Sequence, residues 1–236
     1  MVGSQPRFWN LRAPDMDEEF RVDWEVGKVD LQQVACPINA KHRRGGRRTK
    51  NLRVVLGSIE VFDVMWTWVN ECLIQQHVLD AFEQQGFSGF QVKPVEARFK
   101  RPGADKPPRL WEFVVTGWAG FASPESGIRL DETRSCLHCG SLHYTRPTDY
   151  SRLIDETKWD GSDFFMVWPL PKYIFVTDRV REFAQTNGFR LVEFAHVADL
   201  QDPFLQQLKS GPSPGRLSYW MPEDRARELG EPLGIY

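Results

Sequence analysis

Apolar and polar residues alternate over several short stretches of the chain, and two segments between them have helical spacing. Phe8 to Leu11 and Phe20 to Val29 read as short strands, as does Leu52 to Leu56. Val61 to Val69 is apolar enough for strand or helix. Leu73 to Gln85 places Ile74, Val78, Ala81 and Phe82 on one face, which predicts a helix ended by Gly86. A strand is expected to start within Phe87 to Val95, and Lys100 to Pro108 carries the breakers of a loop. Leu110 to Trp118 alternates as one strand, and Ser141 to Pro147 reads as a short one. Asp163 to Trp168 is apolar, and Tyr173 to Val176 has strand propensity. Thr177 then suits an N-cap, Val180, Phe183 and Ala184 form a helical face, and Asn187-Gly188 ends it. Leu191 to Val197 alternates again, and Pro222 opens a short C-terminal helix.

The pattern repeats. At a shift of 102 residues Trp66 meets Trp168, Val78 meets Val180, Gly86-Phe87 meets Gly188-Phe189, and Val95 meets Val197. At a shift of 100, Cys36 meets Cys136 and Asn39 meets Cys139. The expected fold is therefore α/β (α+β): two pseudo-repeated strand-helix-strand units on small mixed sheets sharing one core. The halves are residues 1–120, with a CPxN turn, and 121–236, with a CLHCG motif; together they are expected to form one cooperative domain.

Cysteine placement suggests chemistry. Four cysteines in 236 residues are too sparse for a secreted disulfide scaffold. Met1 to Phe20 has no apolar run of the signal-peptide kind, so a cytoplasmic location is expected. Cys136 and Cys139 have the spacing of a metal-binding turn, and Gly140 lets the chain fold back. A structural zinc needs about four ligands. Cys36 is the third candidate, and His42, His138 or His143 could supply the fourth, with His42 the preferred one. The alternative is a set of ordinary buried cysteines without metal. If the halves are related by a pseudo-twofold, their cysteine turns meet near its axis.

Composition and charge narrow the function. The chain is 41% hydrophobic and 26% charged, as globular proteins are, and has no run of apolar residues that would span a membrane. Seven acids lie between Asp15 and Asp30, and seven cations between Lys41 and Arg53. The cationic block reads either as a flexible solvated loop or as a contact surface in which Arg43, Arg44, Arg47 and Arg48 meet a partner. Without it the net charge of -2 falls to near -9, which repels nucleic acid elsewhere. Nine tryptophans are many. Trp66, Trp111, Trp118 and Trp168 lie in apolar segments and belong to the core; Trp159 and Trp220 lie in polar stretches and are candidates for an interface. No phosphate-cradling, dinucleotide, metalloprotease or serine-hydrolase motif is present, and His77 and His196 read as structural, so no enzyme activity is expected.

The CPxN turn at Cys36, the helix ending in Gly-Phe, CLHCG at 136–140, and Tyr173 to Val180 followed by Asn187 to Val197 together resemble the myxobacterial double-CxxCG motif family. The resemblance covers about Phe8 to Val197. It departs at the first motif, where Asn39 and Ala40 replace the second cysteine and the glycine. That family includes immunity proteins for swarming-inhibition toxins. The resemblance implies a protein that binds and neutralises a cognate toxin, and it carries over no catalytic residues. The other expectation is a zinc-ribbon-like nucleic-acid-binding or regulatory protein, using Cys136, Cys139 and the Lys41 to Arg53 segment.

Overall fold

The computed structural model describes residues 8–14, 22–24, 30–68, 70–101, 103, 106–190, 192–200 and 211–236. Most of the acidic stretch from Asp15 to Asp30, and most of the strand expected over Phe20 to Val29, lie outside these residues. Among the described residues there are thirteen strands and three α-helices, a mixed α/β fold. One sheet runs β2 (Val22–Trp24), β5 (Leu52–Leu56), β8 (Phe90–Phe99), β9 (Leu110–Val115), β7 (Cys72–Gln75), β6 (Val64–Trp66). The other runs β10 (Gly117–Phe121), β11 (Phe164–Trp168), β12 (Ile174–Thr177), β1 (Phe8–Arg12), β13 (Glu193–His196). A separate hairpin pairs β3 (Leu31–Ala35) with β4 (Arg43–Arg48). The helices are α1 (Gln76–Gln84), α2 (Asp178–Thr186) and α3 (Glu223–Gly230). No helix among the described residues is long and apolar enough to cross a membrane.

The two large sheets repeat each other in order and in register. In the first, β9 lies between β8 and β7, with Val92 opposite Phe113 and Cys72 opposite Phe113. In the second, β1 lies between β13 and β12, with Phe194 opposite Leu11 and Ile174 opposite Leu11. Every one of these positions differs from its counterpart by 102. β1 is thus the counterpart of β9; counted by this register the second repeat opens at Leu110, within the expected 1–120 half, and each opening strand sits in the sheet of the other repeat. The opening strands have been exchanged. Their tryptophans keep equivalent partners: Trp9 Nε1 donates to Asp178 at 2.7 Å, and Trp111 Nε1 donates to Gln76 at 2.8 Å.

Contacts across the halves are reciprocal, as a twofold requires. The Ser88 amide donates to the Asp163 carboxylate at 3.0 Å, and the Arg190 amide donates to the Asp63 carboxylate at 2.7 Å. Asp163 also pairs with Arg179, and Asp63 with His77, the matching position on the other helix. Gly86 and Gly188 end the two helices at the same φ of +64°, a left-handed conformation that glycine adopts without a Cβ clash. One aromatic cluster seals the join. Phe164 is fully buried, and its ring lies 5.2 Å from Phe82, 5.4 Å from Phe90 and 4.8 Å from Phe113.

Several local expectations change. The segment Cys72–Gln75 is strand, and the helix begins only at Gln76. Ile74 packs in the main apolar cluster and Leu73 in a second one on the opposite face of the sheet, and β7 pairs with β6 and β9 at its edges, so tertiary packing overrides the helical spacing. The strand expected over Leu110 to Trp118 is two strands in different sheets, divided at Thr116. A Cβ at Gly117 would lie 2.0 Å from Ser162 Oγ, so the absence of a side chain lets the chain turn there. Ser141 to Pro147 holds only single bridges, Cys136 to Ser141 and Leu130 to Tyr144. The flexible loop expected over Lys41 to Arg53 is instead β4 and the start of β5. Trp66 pairs with Cys72, and Phe165 and Phe164 pair with Phe175 and Val176, so β6 and β11 match at a shift of 100 rather than 102. Between these paired positions the β11–β12 connection is two residues longer than its counterpart, and β11 takes up the difference.

Candidate metal centre

The β3–β4 hairpin ends in the turn that carries Cys36 and His42. It is closed by the Cys36 amide donating to the His42 carbonyl at 3.1 Å. The second turn is closed twice, by Cys136 and Ser141 exchanging backbone bonds at 2.9 and 3.1 Å. Gly140 turns it at φ +67°, and a Cβ there would lie 2.6 Å from the Arg216 side chain. Arg216 clamps this turn from outside, donating to the Leu137 and His138 carbonyls.

The two turns face each other. Cys36 Sγ lies 3.7 Å from Cys136 Sγ, and Cys139 Sγ lies 4.0 Å from His42 Nδ1. All four ligand atoms fall within 4.8 Å of one another. A tetrahedral zinc with bonds of about 2.3 Å to sulfur spaces its sulfurs by about 3.8 Å. The observed spacing fits that edge and is far too long for a disulfide; all four cysteines are free thiols. Cys36 and Cys136 are equivalent positions in the two repeats, and only near the pseudo-twofold axis does a residue meet its own counterpart. The three cysteines are buried with Val34 against them, and Cys136 and Cys139 are within 8% and 3% of full burial.

His42 takes the place of the missing cysteine. Asn39 stands where that cysteine is expected, and its amide lies 3.0 Å from His42 Nε2, on the ring edge away from the sulfurs. Asn39 does not ligate: its Nδ2 faces the ring and its Oδ1 accepts from the Lys41 amide, so a metal on His42 Nδ1, which leaves the proton on Nε2, requires the Asn39 side chain to turn its oxygen to that N–H. The other two histidine candidates are not brought in. His138 is exposed, and the His143 ring contacts Ser141 Oγ at 3.2 Å.

Cys136 is preset as a thiolate. The Cys139 backbone amide and the His42 side chain, with smaller help from Cys36, lower its pKa to about 6, whereas burial pushes the Cys139 thiol up. Metal binding must also displace the Cys139 proton, so affinity is expected to fall as pH drops through the thiol range and more steeply once protons refill Cys136 below about pH 6. In metal-free protein, thiolate absorbance at 240 nm should rise with a midpoint near pH 6, and Cys136→Ser should remove that step. A single titration in the ordinary thiol range of about 8.5 would contradict the assignment.

The remaining candidates lie elsewhere. Arg47 is paired with Glu223 at 2.8 Å and Arg48 with Glu112. Lys50 and Arg53 both reach Asp30, so part of the basic block is neutralised internally. Arg43 is exposed, and Arg44 stacks over the Tyr219 ring. Trp159 and Trp220 are half-buried against the main core, and their indole N–H groups are spent on the carbonyls of Ser162 and Pro214. Among the tryptophans whose burial is described, the exposed one is Trp68, at 47%. No protein-family profile and no curated protein matches the chain.

Proposed function

We propose that the protein is an immunity protein that binds and neutralises a cognate toxin, with zinc as its structural staple. The observation that supports this reading is the junction of the two cysteine turns in one tetrad. It is a paired-turn arrangement of the kind the double-CxxCG resemblance leads one to expect, with His42 substituting for the absent cysteine. Four protein ligands fill a tetrahedral ion and leave no position for water or substrate, which favours a structural metal over a catalytic one. The staple would hold two turn tips rigid. Those tips carry Ile38 and Leu137, 65% and 66% exposed, beside the cations of β4. Rigid exposed apolar side chains next to arginines suit a protein interface, and the mechanism would be occlusion of the toxin's active face. A cytoplasmic location fits free thiols.

The nucleic-acid alternative is weaker on charge. Arg47, Arg48, Lys50 and Arg53 are all engaged by the protein's own carboxylates, which leaves few cations for phosphates.

Co-expression with the product of the adjacent gene tests the proposal. Rescue of growth and a stoichiometric complex on a sizing column are expected, and Leu137→Asp should weaken both. Continued toxicity with no complex would remove the idea.

A further inference from the structure

Between the basic hairpin and the seam of the two sheets lies a cavity of about 630 Å³, apart from the cysteine tetrad. Its volume is that of a small-molecule site. Five cations line it, Arg44, Arg47, Arg48, Lys93 and Lys172, against the carboxylates of Glu71 and Glu112. Glu112 is taken by Arg48, Arg47 is drawn to Glu223 outside, and Glu71 accepts from the Thr67 hydroxyl. Arg44, Lys93 and Lys172 have no ion pair among the described residues. They come from β4, β8 and the turn after β11, so the fold gathers them from distant parts of the chain.

Two of these cations are held at a cost that an anion would relieve. Arg44 has its Nε and Nη2 buried without a hydrogen-bond partner. Both atoms are shut off from the cavity beside Gly215 and Tyr219, so they mark a desolvated guanidinium whose charge a nearby anion would stabilise. Lys93 is half-buried, and burial pushes its pKa down, with Arg48 and Arg47 adding to the effect against the pull of Glu112. The floor is apolar, with Phe113 and Met166 buried, and Tyr219 and Trp220 stand in the wall.

We propose that this cavity is a binding site for a nucleoside phosphate. Three unpaired cations ask for more negative charge than one carboxylate brings, and a phosphate ester carries close to two charges at neutral pH. Guanidinium and ammonium groups are matched to phosphate oxygens. The aromatic wall and apolar floor accept a planar base in place of water. The proposal does not rest on the immunity reading, although Arg44, Arg47 and Arg48 of β4 line the cavity and belong to the strand beside the expected partner surface.

Calorimetric titration of the full-length, zinc-loaded protein with three probes tests it: adenosine diphosphate, adenosine and inorganic phosphate. The diphosphate is expected to bind, adenosine to show no measurable heat, and phosphate to bind at least about tenfold more weakly, since it lacks the base contacts. Lys93→Gln and Lys172→Gln should each weaken diphosphate binding by about tenfold, the loss of one charge-assisted contact, with unchanged melting temperature. Arg44→Gln should do the same, and the exposed Lys172 keeps the test open if a half-buried variant misfolds. Absence of binding at millimolar diphosphate overturns the proposal. So does equal binding of adenosine, or full affinity in both lysine variants. Phosphate binding as tightly as the diphosphate would overturn the assignment to a nucleoside.

Discussion

Cys136→Ser is expected to lose bound zinc and to lower the melting temperature by on the order of 10 °C. Metal analysis of the purified wild type should give one zinc per chain, and the variant should give little or none. The size follows from chain topology. An ion bound by the tetrad would tie Cys36 to Cys136, two thiols 3.7 Å apart that are separated by 100 residues of sequence. Closing a loop of that length removes about 4 to 5 kcal/mol of unfolded-chain entropy, by the same reasoning that applies to a cross-linking disulfide. For a chain of this size each kcal/mol is worth roughly 2–4 °C. A chelator should reproduce the shift in the wild type and leave the variant unmoved. Cys72→Ala provides the control. Cys72 is buried in β7, away from the tetrad, and its loss should leave zinc content intact. A metal-free wild type melting with the variant would refute the zinc assignment.

Phe164→Ala should destabilise the protein by about 3–5 kcal/mol, the range for emptying a large aromatic site in a packed core. The ring is fully buried at the seam, against Phe82 of α1, Phe90 of β8 and Phe113 of β9. Because the ring joins both repeats, urea unfolding followed by tryptophan fluorescence and by circular dichroism should shift together to a lower midpoint. Phe164→Leu keeps more volume and should cost less than half as much. A loss below about 1 kcal/mol would mean that the seam does not carry the fold.

The two helices were legible because their ends are punctuated by Gly86 and Gly188 and their apolar faces repeat in phase. The cysteine cluster was legible in outline, since a CxxC needs further ligands and few residues could supply them. His42, preferred over His138 and His143 from the sequence, is the histidine that the opposing turn meets. The start of α1 was hidden because an apolar run buried on both faces looks the same in strand and helix. The basic strand was hidden because β4 takes its order from pairing with β3 and from carboxylates distant in sequence, such as Glu112 and Glu223. The exchange of opening strands left one local trace that pattern reading passed over. Phe8-Trp9-Asn10-Leu11 and Leu110-Trp111-Glu112-Phe113 lie at the same shift as the helices. Which sheet each joins is a matter of long-range pairing, and single-chain periodicity carries no information on that.

Reciprocal strand exchange makes the molecule the equivalent of an intertwined dimer whose two subunits are one polypeptide. Cutting it between β8 and β9 would leave two fragments, each missing a strand that the other holds, so they should recover the fold only by reassociating. Fusion also removes a constraint. In a pair of identical subunits any substitution strikes both copies, and a shared metal site would lose two ligands at once. In one chain each copy can drift alone. Asn39 on one side and Cys139 on the other are what that independence permits: one turn gives up a thiol, the neighbouring His42 is at hand, and the tetrad keeps four candidate ligands.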